Sequence, residues 1–325
     1  MTGHSVSVAM CTFNGERFLR DQLESIASQE KLPDELVICD DGSSDGSVEI
    51  VRQFAQRAPF PTRLIVNQKT LGATKNFEQA IGLSQSAIVA LADQDDVWYP
   101  QKIRRIEKTF QGSSKLVATF SDADLIDDGS RLLHLRLWPT FAFSRAKQNQ
   151  FASGHALNVL IRRPVVTGAT MAFRRELFDL MTPIPGNEIH DKWISFLLVA
   201  LGQIVAISEP LMQYRRHEGQ QVGPGPLTLQ EGIEQARDSD ANSYLEEIER
   251  FQQIHDRLQE RRSDFPYAEC ALQAIEGKIS HLEHRAQLPP SKVARIPKVL
   301  WEILHGHYWR YSGGWMSVAK DLAIR

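Results

Sequence analysis

The 325-residue chain has only three cysteines, Cys11, Cys39 and Cys270, and no CxxC pair among them. That excludes a disulfide framework and a thiolate zinc knuckle, and it fits a reduced, cytoplasmic compartment. No run of about 20 apolar residues exists that could cross a bilayer. From Met1 to Ser5 there is no basic stretch leading into an apolar core, so no secretory signal is read, and the chain is expected to be soluble or peripheral. No low-complexity tract interrupts it. Excess charge is lacking too: a formal net charge of −3 provides no overall basic field, which argues against nucleic acid as the main partner. No GxGxxG follows any predicted strand, which disfavours a dinucleotide-dependent dehydrogenase.

What is present is an alternation. Two short apolar runs, Val6 to Cys11 and Glu35 to Cys39, flank a segment with helical spacing at Phe18, Leu19, Gln22, Leu23 and Ile26. The pattern continues with a helix over Val48 to Ala55, a strand over Thr62 to Val66, a helix over Thr74 to Leu83 and a strand over Ile88 to Ala92. Repeated βα units predict an α/β, Rossmann-like fold with a mostly parallel sheet between helices. Further on, Leu116 to Phe120 reads as a strand ending in Ser121, Asp122, Ala123 and Asp124. Trp193 to Leu201 reads as a buried helix, and Gln203 to Ile207 as a short strand running on toward Glu209, Pro210 and Tyr214. Pro224-Gly225-Pro226 is a breaker, which predicts a catalytic domain over 1–223 and a C-terminal helical region over 224–325. Within the latter, Gln230 to Gln287 suggests one or two long helices.

In open sheets of this kind ligands sit beyond the carboxyl ends of the strands. Those ends are polar here: Thr12, Phe13, Asn14 and Gly15 after the first, Asp40 to Asp45 after the second, and Asp93, Gln94, Asp95 and Asp96 after the fourth. Asp93 and Asp95, two residues apart in an extended turn, can share one hard divalent cation and a diphosphate bound to it. Such a cation, Mg2+ or Mn2+, would also offset the repulsion of crowded carboxylates. Asp40-Asp41-Gly42-Ser43 has two readings, a helix cap and turn, or an acidic acceptor for the ring N–H of a pyrimidine base. A second group comprises His190-Asp191-Lys192-Trp193, opening the apolar helix, and Tyr214-Arg215-Arg216-His217, after the last strand. Asp191 is either an N-cap or a general base toward an acceptor hydroxyl. His217 is either an ordinary surface histidine or a further metal ligand, and Arg215 and Arg216 are either surface cations or counter-charges to a diphosphate.

Taken together and in order, Thr12-Phe13-Asn14-Gly15, Asp40-Asp41-Gly42-Ser43-Ser44-Asp45 and Asp93-Gln94-Asp95-Asp96-Val97-Trp98 resemble the family 2 glycosyltransferases of GT-A fold. The histidine-containing motifs at 190–193 and 214–217 resemble the bacterial rhamnosyltransferase branch. The resemblance spans residues 5 to about 223. It implies an inverting transfer from a dTDP- or UDP-linked sugar, with rhamnose as the donor sugar, to a glycan or lipid-linked glycan in polysaccharide, O-antigen or cell-envelope synthesis. It further implies that Asp41 meets the base, Asp93 the ribose and sugar, Asp95 and His217 the metal, and that Asp191 is the base. Gly168 to Phe173, with Gly168, Ala169 and Thr170 foremost, and Trp193 would line the acceptor side. Two departures are visible: His190 stands where an acidic residue is common, and Phe13 where a tyrosine is common, so ring stacking survives without a phenolic hydrogen bond.

Near the end, Ile296, Val299, Leu300, Ile303 and Leu304 recur on one helical face ahead of Tyr308, Trp309, Arg310 and Trp315. This is either a helix packed on the catalytic domain or an interfacial helix at the inner membrane face. Two rival functions stay in view. A sugar-1-phosphate nucleotidyltransferase shares the sheet and the acidic site, but such enzymes carry a glycine-rich basic loop that Thr12 to Glu16 is not. A catalytically inactive nucleotide-sugar-binding regulator would bind donor without turnover.

Overall fold

A computed structural model describes residues 4–217 and 241–323. In chain order the first half runs β1 (Val6–Thr12), α1 (Leu19–Ala27), β2 (Glu35–Asp40), α2 (Ser47–Ala55), β3 (Thr62–Val66), α3 (Ala73–Leu83), β4 (Ile88–Ala92), β5 (Val97–Trp98) and α4 (Lys102–Gln111). It continues with β6 (Leu116–Ile126), β7 (Leu132–Arg136), three short helices α5 (Leu137–Thr140), α6 (Arg145–Ala152) and α7 (Ala156–Leu160), then β8 (Met171–Arg174), α8 (His190–Leu201) and β9 (Gln203–Arg215). The C-terminal region holds α9 (Ala241–Glu260), α10 (Ala268–Ala286), α11 (Lys292–Leu304), α12 (His307–Tyr311) and α13 (Trp315–Ala323). The expected breaker and the 223/224 boundary lie outside the described residues.

One mixed sheet has the order β3-β2-β1-β4-β8-β6-β9-β5, with β7 paired to β6. The four strands read as βα repeats, β3, β2, β1 and β4, are mutually parallel. Being covered on both faces, β2 and β4 are buried along their whole length, which is why they read as continuous apolar runs rather than alternating ones. The short β8, which the sequence reading did not predict as a strand, pairs antiparallel to both β4 and β6 and joins the two halves of the sheet.

Two expectations are corrected in this second half. The strand predicted to stop at Phe120 continues to Ile126, so Asp122 and Asp124 lie within β6 rather than beyond its end. The strand tolerates them because Arg136 of β7 and the Tyr99 hydroxyl supply charge and donors: Arg136 Nε lies 2.9 Å and Tyr99 Oη 2.7 Å from Asp124. Asp122 Oδ1 accepts from the Ala123 and Trp138 amides. Likewise β9 does not end at Ile207 but runs to Arg215, pairing in parallel with β6 across register shifts near Asp122 and Pro210. The bulges absorb a proline that cannot donate to the ladder. Tyr214 and Arg215 are therefore strand residues.

The helices α9 and α10 pack on each other and on α8. Phe251, Ile254, Leu258, Leu272, Ile275 and Leu282 belong to the same buried cluster as Trp193, Phe196 and Leu197 of α8 and Phe120 of β6. A smaller cluster of Val299, Tyr308 and Val318 holds α11, α12 and α13 together. Among the described residues, no helix is long and apolar enough to cross a membrane.

Candidate functional site

The carboxyl ends of β1, β2 and β4 are fastened together by side-chain to backbone bonds. Thr12 Oγ1 donates to Asp40 Oδ2 at 2.7 Å, while Asp40 Oδ1 accepts from the Gly42 and Ser43 amides. Asn14, held at φ 47°, accepts from the Ser44 amide at 2.9 Å. Asparagine suits that left-handed position better than most residues. Gln94 makes a reciprocal pair with the backbone of Phe13, accepting from its N–H at 2.9 Å and donating to its carbonyl at 3.0 Å. A Cβ on Gly15 would lie 2.1 Å from Gln94 Oε1, so a side chain there would displace the carboxamide that clips the first loop to the acidic loop. Phe13 itself stays 45% exposed at the rim, with its ring available for stacking.

Asp41 is buried and its two oxygens are spanned by the loop preceding α3. Oδ1 accepts from the Leu71 amide at 2.7 Å and Asn67 Nδ2 at 3.0 Å, and Oδ2 from the Gly72 amide at 2.9 Å. Of the cap and turn considered for this motif, the turn is present, held by Asp40 within its own loop and by Asp41 across to another, while neither α2 nor α3 receives a side-chain cap.

The acidic loop is braced from behind. Arg215 is fully buried, donating from Nε to the Asp95 carbonyl at 2.6 Å and from its backbone to Asp96 Oδ1 at 3.0 Å. Its guanidinium lies over the Phe18 ring, 4.5 Å from the centroid. Arg215 therefore shapes the loop from inside rather than facing a diphosphate in the cleft. Lys102, at the start of α4, is equally buried. Its Nζ donates to the Ala169 carbonyl at 2.7 Å and lies 3.9 Å from the centre of the Trp98 ring. Burial lowers the Lys102 ammonium to about 7 against the pull of Asp96 and Asp93. Burial likewise raises Asp96 well above the ordinary carboxylate range, reinforced by Asp95 and Asp93. The sequence reading missed Lys102. The available signal was a lysine on the same helical stripe as Ile103, Ile106 and Phe110.

On the cleft side, His217 Nε2 lies 2.8 Å from Asp95 Oδ2, joining two residues 122 positions apart. Asp93 is raised to about 7, by burial first and then by the charges of Asp95 and Asp191. A loop that collects negative charge and then shifts one carboxylate this far toward neutrality fits a cation. Carboxylate oxygen and imidazole nitrogen are ligands that Mg2+ and Mn2+ accept, which leaves further positions for water or phosphate oxygens.

Facing this wall is the start of α8. Asp191 Oδ2 accepts from the Gly168 amide at 2.9 Å, whereas its Oδ1 is buried without a hydrogen-bond partner among the described residues. His190 stacks on Phe77, with ring centroids 4.1 Å apart, and burial lowers its pKa. Gly168 has no room for a side chain: a Cβ there would approach His190 Nε2 to 2.9 Å.

All of this surrounds one cavity of about 480 Å³. Of the residues read from the sequence, Thr12, Phe13, Asp41, Asp93, Asp95, Gly168, Asp191 and His217 line it. Six do not. Asn14 lies in the loop clip just described, and Arg215 behind the acidic loop. Arg216 donates its amide to the Ile126 carbonyl and is not among the lining residues. Ala169 and Thr170 are buried beneath the floor, Thr170 Oγ1 donating to the Thr167 carbonyl. Trp193 is a core residue whose Nε1 donates to the Met181 carbonyl at 2.8 Å, one helical position past the cleft. Tyr214 and Lys192, which the sequence reading named only as neighbours of other motifs, do line it.

Comparisons with known proteins bear on the family and the fold. The curated relatives include the glycosyltransferase alr2836 of Nostoc sp., 28% identical over 65% of this chain and 65% of its own. Another is the dTDP-rhamnosyl transferase RfbG of Shigella flexneri, 25% identical over 66% of this chain and 73% of its own. The chain thus matches just under two thirds of the first relative's length. Among solved structures, TarS of S. aureus in complex with UDP-GlcNAc superposes with a TM-score of 0.58 at 14% identity, covering 98% of this chain and 88% of that one. The mannosyltransferase PcManGT of Pyrobaculum calidifontis, in complex with GDP-Man and Mn2+, gives 0.52 at 17% identity, covering 94% and 76%. Both share the fold, a curled mixed sheet flanked by helices with helices at the C-terminal end. Residues 7–181, which carry all three strand-end motifs, match the family described as glycosyl transferase family 2, and this chain belongs to that family.

Proposed function

We propose that the chain catalyses the inverting transfer of a sugar from a nucleotide-diphosphate donor to an acceptor hydroxyl. The observation that carries this reading is the opposition, within one cavity, of the Asp95–His217 pair to a carboxylate whose one free oxygen faces no protein donor, Asp191 Oδ1. Asp41 and the exposed Phe13 ring receive the base, Asp93 the ribose and sugar, and Asp95 with His217 holds a divalent cation, Mg2+ or Mn2+. The cation, when bound, offsets the charge growing on the departing diphosphate. Mn2+ in the PcManGT complex supports that cofactor class.

Asp191 does the proton work. The Gly168 amide holds Oδ2 and so fixes the carboxylate plane, leaving Oδ1 to take the proton of the acceptor hydroxyl as that oxygen attacks the anomeric carbon. His190 and Gly168 keep the base in register. A single displacement inverts the anomeric centre. The likeness to RfbG, together with the histidine motif at 190–193, supports a dTDP-linked rhamnose donor and a cell-surface glycan acceptor.

The C-terminal region supports acceptor delivery at a membrane surface. On α11, Val293 (75% exposed), Ile296, Leu300 and Leu304 (82%) form an apolar ridge. It continues with Trp309, Trp315 and Met316 (75%), and Lys292, Lys298 and Arg310 belong to the same helices. Such a ridge suits the interface where lipid-linked glycans reside. The inner face of the cell membrane is the corresponding location.

The test of the whole reading is transfer from a panel of dTDP- and UDP-sugars to glycan acceptors, followed by proton NMR of the new anomeric centre. Inverted configuration is expected. A retained configuration, or hydrolysis without dependence on Asp191, refutes it. For the surface, Leu300→Glu/Leu304→Glu is expected to abolish flotation with anionic vesicles, and unchanged flotation removes the membrane contact.

A further inference from the structure

Outside the lining of the cleft, three helices of the C-terminal region bring three imidazoles onto one carboxylate. Glu302 of α11 is almost wholly buried, and its Oε2 is in contact with Nδ1 of His281 from α10 and lies 3.1 Å from Nδ1 of His307 from α12. Its other oxygen, Oε1, lies 2.6 Å from Nδ1 of His284, one turn along α10. The ligand atoms of His281, Glu302 and His307 all fall within 4.8 Å of one another. We propose that this cluster is a second metal site, distinct from the cleft, built for a transition metal of the Zn2+ class.

The donor chemistry separates the two sites. Asp95 and His217 with nearby carboxylates suit a hard cation, whereas three imidazoles and one carboxylate are a borderline-soft set that favours Zn2+ and its neighbours over Mg2+. His281, Glu302 and His307 form the core of the site. His284, whose side chain is 45% exposed, completes a four-ligand shell by rotating from one carboxylate oxygen toward the ion. Tetrahedral ligands at about 2.0–2.1 Å from zinc stand roughly 3.3 Å apart, so the present contacts need to open by only a few tenths of an ångström to about 1 Å. His284 and His307, the latter 25% exposed, have the freedom to do so and leave an entry path.

The surroundings suit a metal shell. His281 Nε2 lies 2.7 Å from Ser312 Oγ, which in turn accepts from Arg285. With Nδ1 on a metal, the imidazole proton resides on Nε2 and donates to that hydroxyl, so the ring needs a change of tautomer and no net loss of charge. Ligating histidines are usually held in this way by a partner on the far nitrogen. The Trp301 ring packs against His284 and His307, with centroids 5.2 and 5.4 Å away, and provides an apolar cover. Filled, the site ties α10, α11 and α12 together directly beneath the apolar ridge.

The experiment uses the full chain carrying Asp95→Ala, so that the cleft does not contribute. After chelator treatment and dialysis, Zn2+ is titrated against a chromogenic chelator, and Co2+ is added in parallel for its visible spectrum. One equivalent of Zn2+ is expected, with a rise in Tm of about 2–8 °C at saturating metal and the strong d–d bands of four-coordinate cobalt. His307→Ala and Glu302→Gln should each lose that equivalent and those bands. His307→Ala changes an exposed edge, so its own melting curve without metal shows that it is folded. Absence of stoichiometric uptake by the parent overturns the proposal, as does uptake that His307→Ala leaves unchanged or a cobalt spectrum of the weak octahedral kind.

Discussion

Replacing Asp191 with asparagine is the sharpest perturbation of the chemistry, because the structure separates what the substitution keeps from what it removes. The carboxamide oxygen can still accept from the Gly168 amide, as Oδ2 does now at 2.9 Å. The amide nitrogen then takes the place of Oδ1, which has no hydrogen-bond partner in the present arrangement, so no protein contact is broken. One negative charge leaves the cavity, and with it part of the push that raises Asp93, whose pKa should fall from about 7. Stability should change by less than about 1 kcal/mol, a few degrees in Tm for a chain of this size. Turnover should not survive. Proton transfer by a positioned base is worth roughly 10²–10⁴-fold, or about 3–5.5 kcal/mol of barrier. Steady-state kinetics should therefore show kcat falling by about 10²–10⁴-fold while donor Kd, read by fluorescence or calorimetry, changes by less than about threefold. A folded Asp191→Asn protein whose kcat stays within a factor of ten of the parent refutes the assignment.

Gly15→Ala places a methyl group 2.1 Å from Gln94 Oε1, so the Gln94 carboxamide must move and release Phe13, which loosens the clip on the loop between Asp93 and Asp95. The expected loss is about 10–100-fold in kcat/KM with about 1–3 kcal/mol of stability in urea unfolding; wild-type kinetics would show that the clip does not position the loop. Lys102→Met strips the lysine that offsets the burial of Asp96 and Asp93, and should cost about 3–5 kcal/mol by denaturant melts near neutral pH. A loss below about 1 kcal/mol would show that Asp96 is already protonated in the native protein. His190, buried and lowered below its ordinary pKa of about 6.5, stays neutral while the unfolded chain takes up a proton. Its contribution is thus present above about pH 6.5 and is lost as pH falls through the unfolded value. His190→Gln should flatten the stability slope between about pH 6.5 and 5, and an unchanged slope contradicts the argument.

Much of this architecture was legible because its signal is local. Thr62 to Val66 and Ile88 to Ala92 matched observed strands end to end, the second as a fully buried apolar run and the first as a half-buried edge strand, each bounded by turns. The convergence of Asp41, Asp93 and Asp95 on one edge followed from strand polarity alone. The second half was harder because its elements are stabilised by partners far away in sequence. Asp122 and Asp124 read as a strand end, yet Arg136 and Tyr99 make them acceptable inside β6. Arg215 reads as a surface cation or a counter-charge to a diphosphate and is instead buried under the acidic loop, where Nε and Nη1 reach the Asp95 and Asp127 carbonyls and Ser130, and the guanidinium lies over the Phe18 ring. No pattern along the chain encodes those partners. Trp193 sits two positions beyond Asp191, about 200° around a helix of 3.6 residues per turn, so a motif read as one unit necessarily faces both cleft and core. The contact of His217 with Asp95, across 122 positions, was not read from the sequence.

The central claim is that Asp95 and His217 hold a divalent ion that grips the diphosphate of a nucleotide sugar. Calorimetric titration of the parent and Asp95→Ala with dTDP- and UDP-sugars, in Mn2+ and again in excess chelator, tests it most directly. The account expects micromolar-range affinity in Mn2+ that weakens by about tenfold or more in chelator, and an Asp95→Ala protein that binds equally weakly in both. Equal affinity of the parent with and without metal, or tight Mn2+-dependent binding by Asp95→Ala, would contradict it.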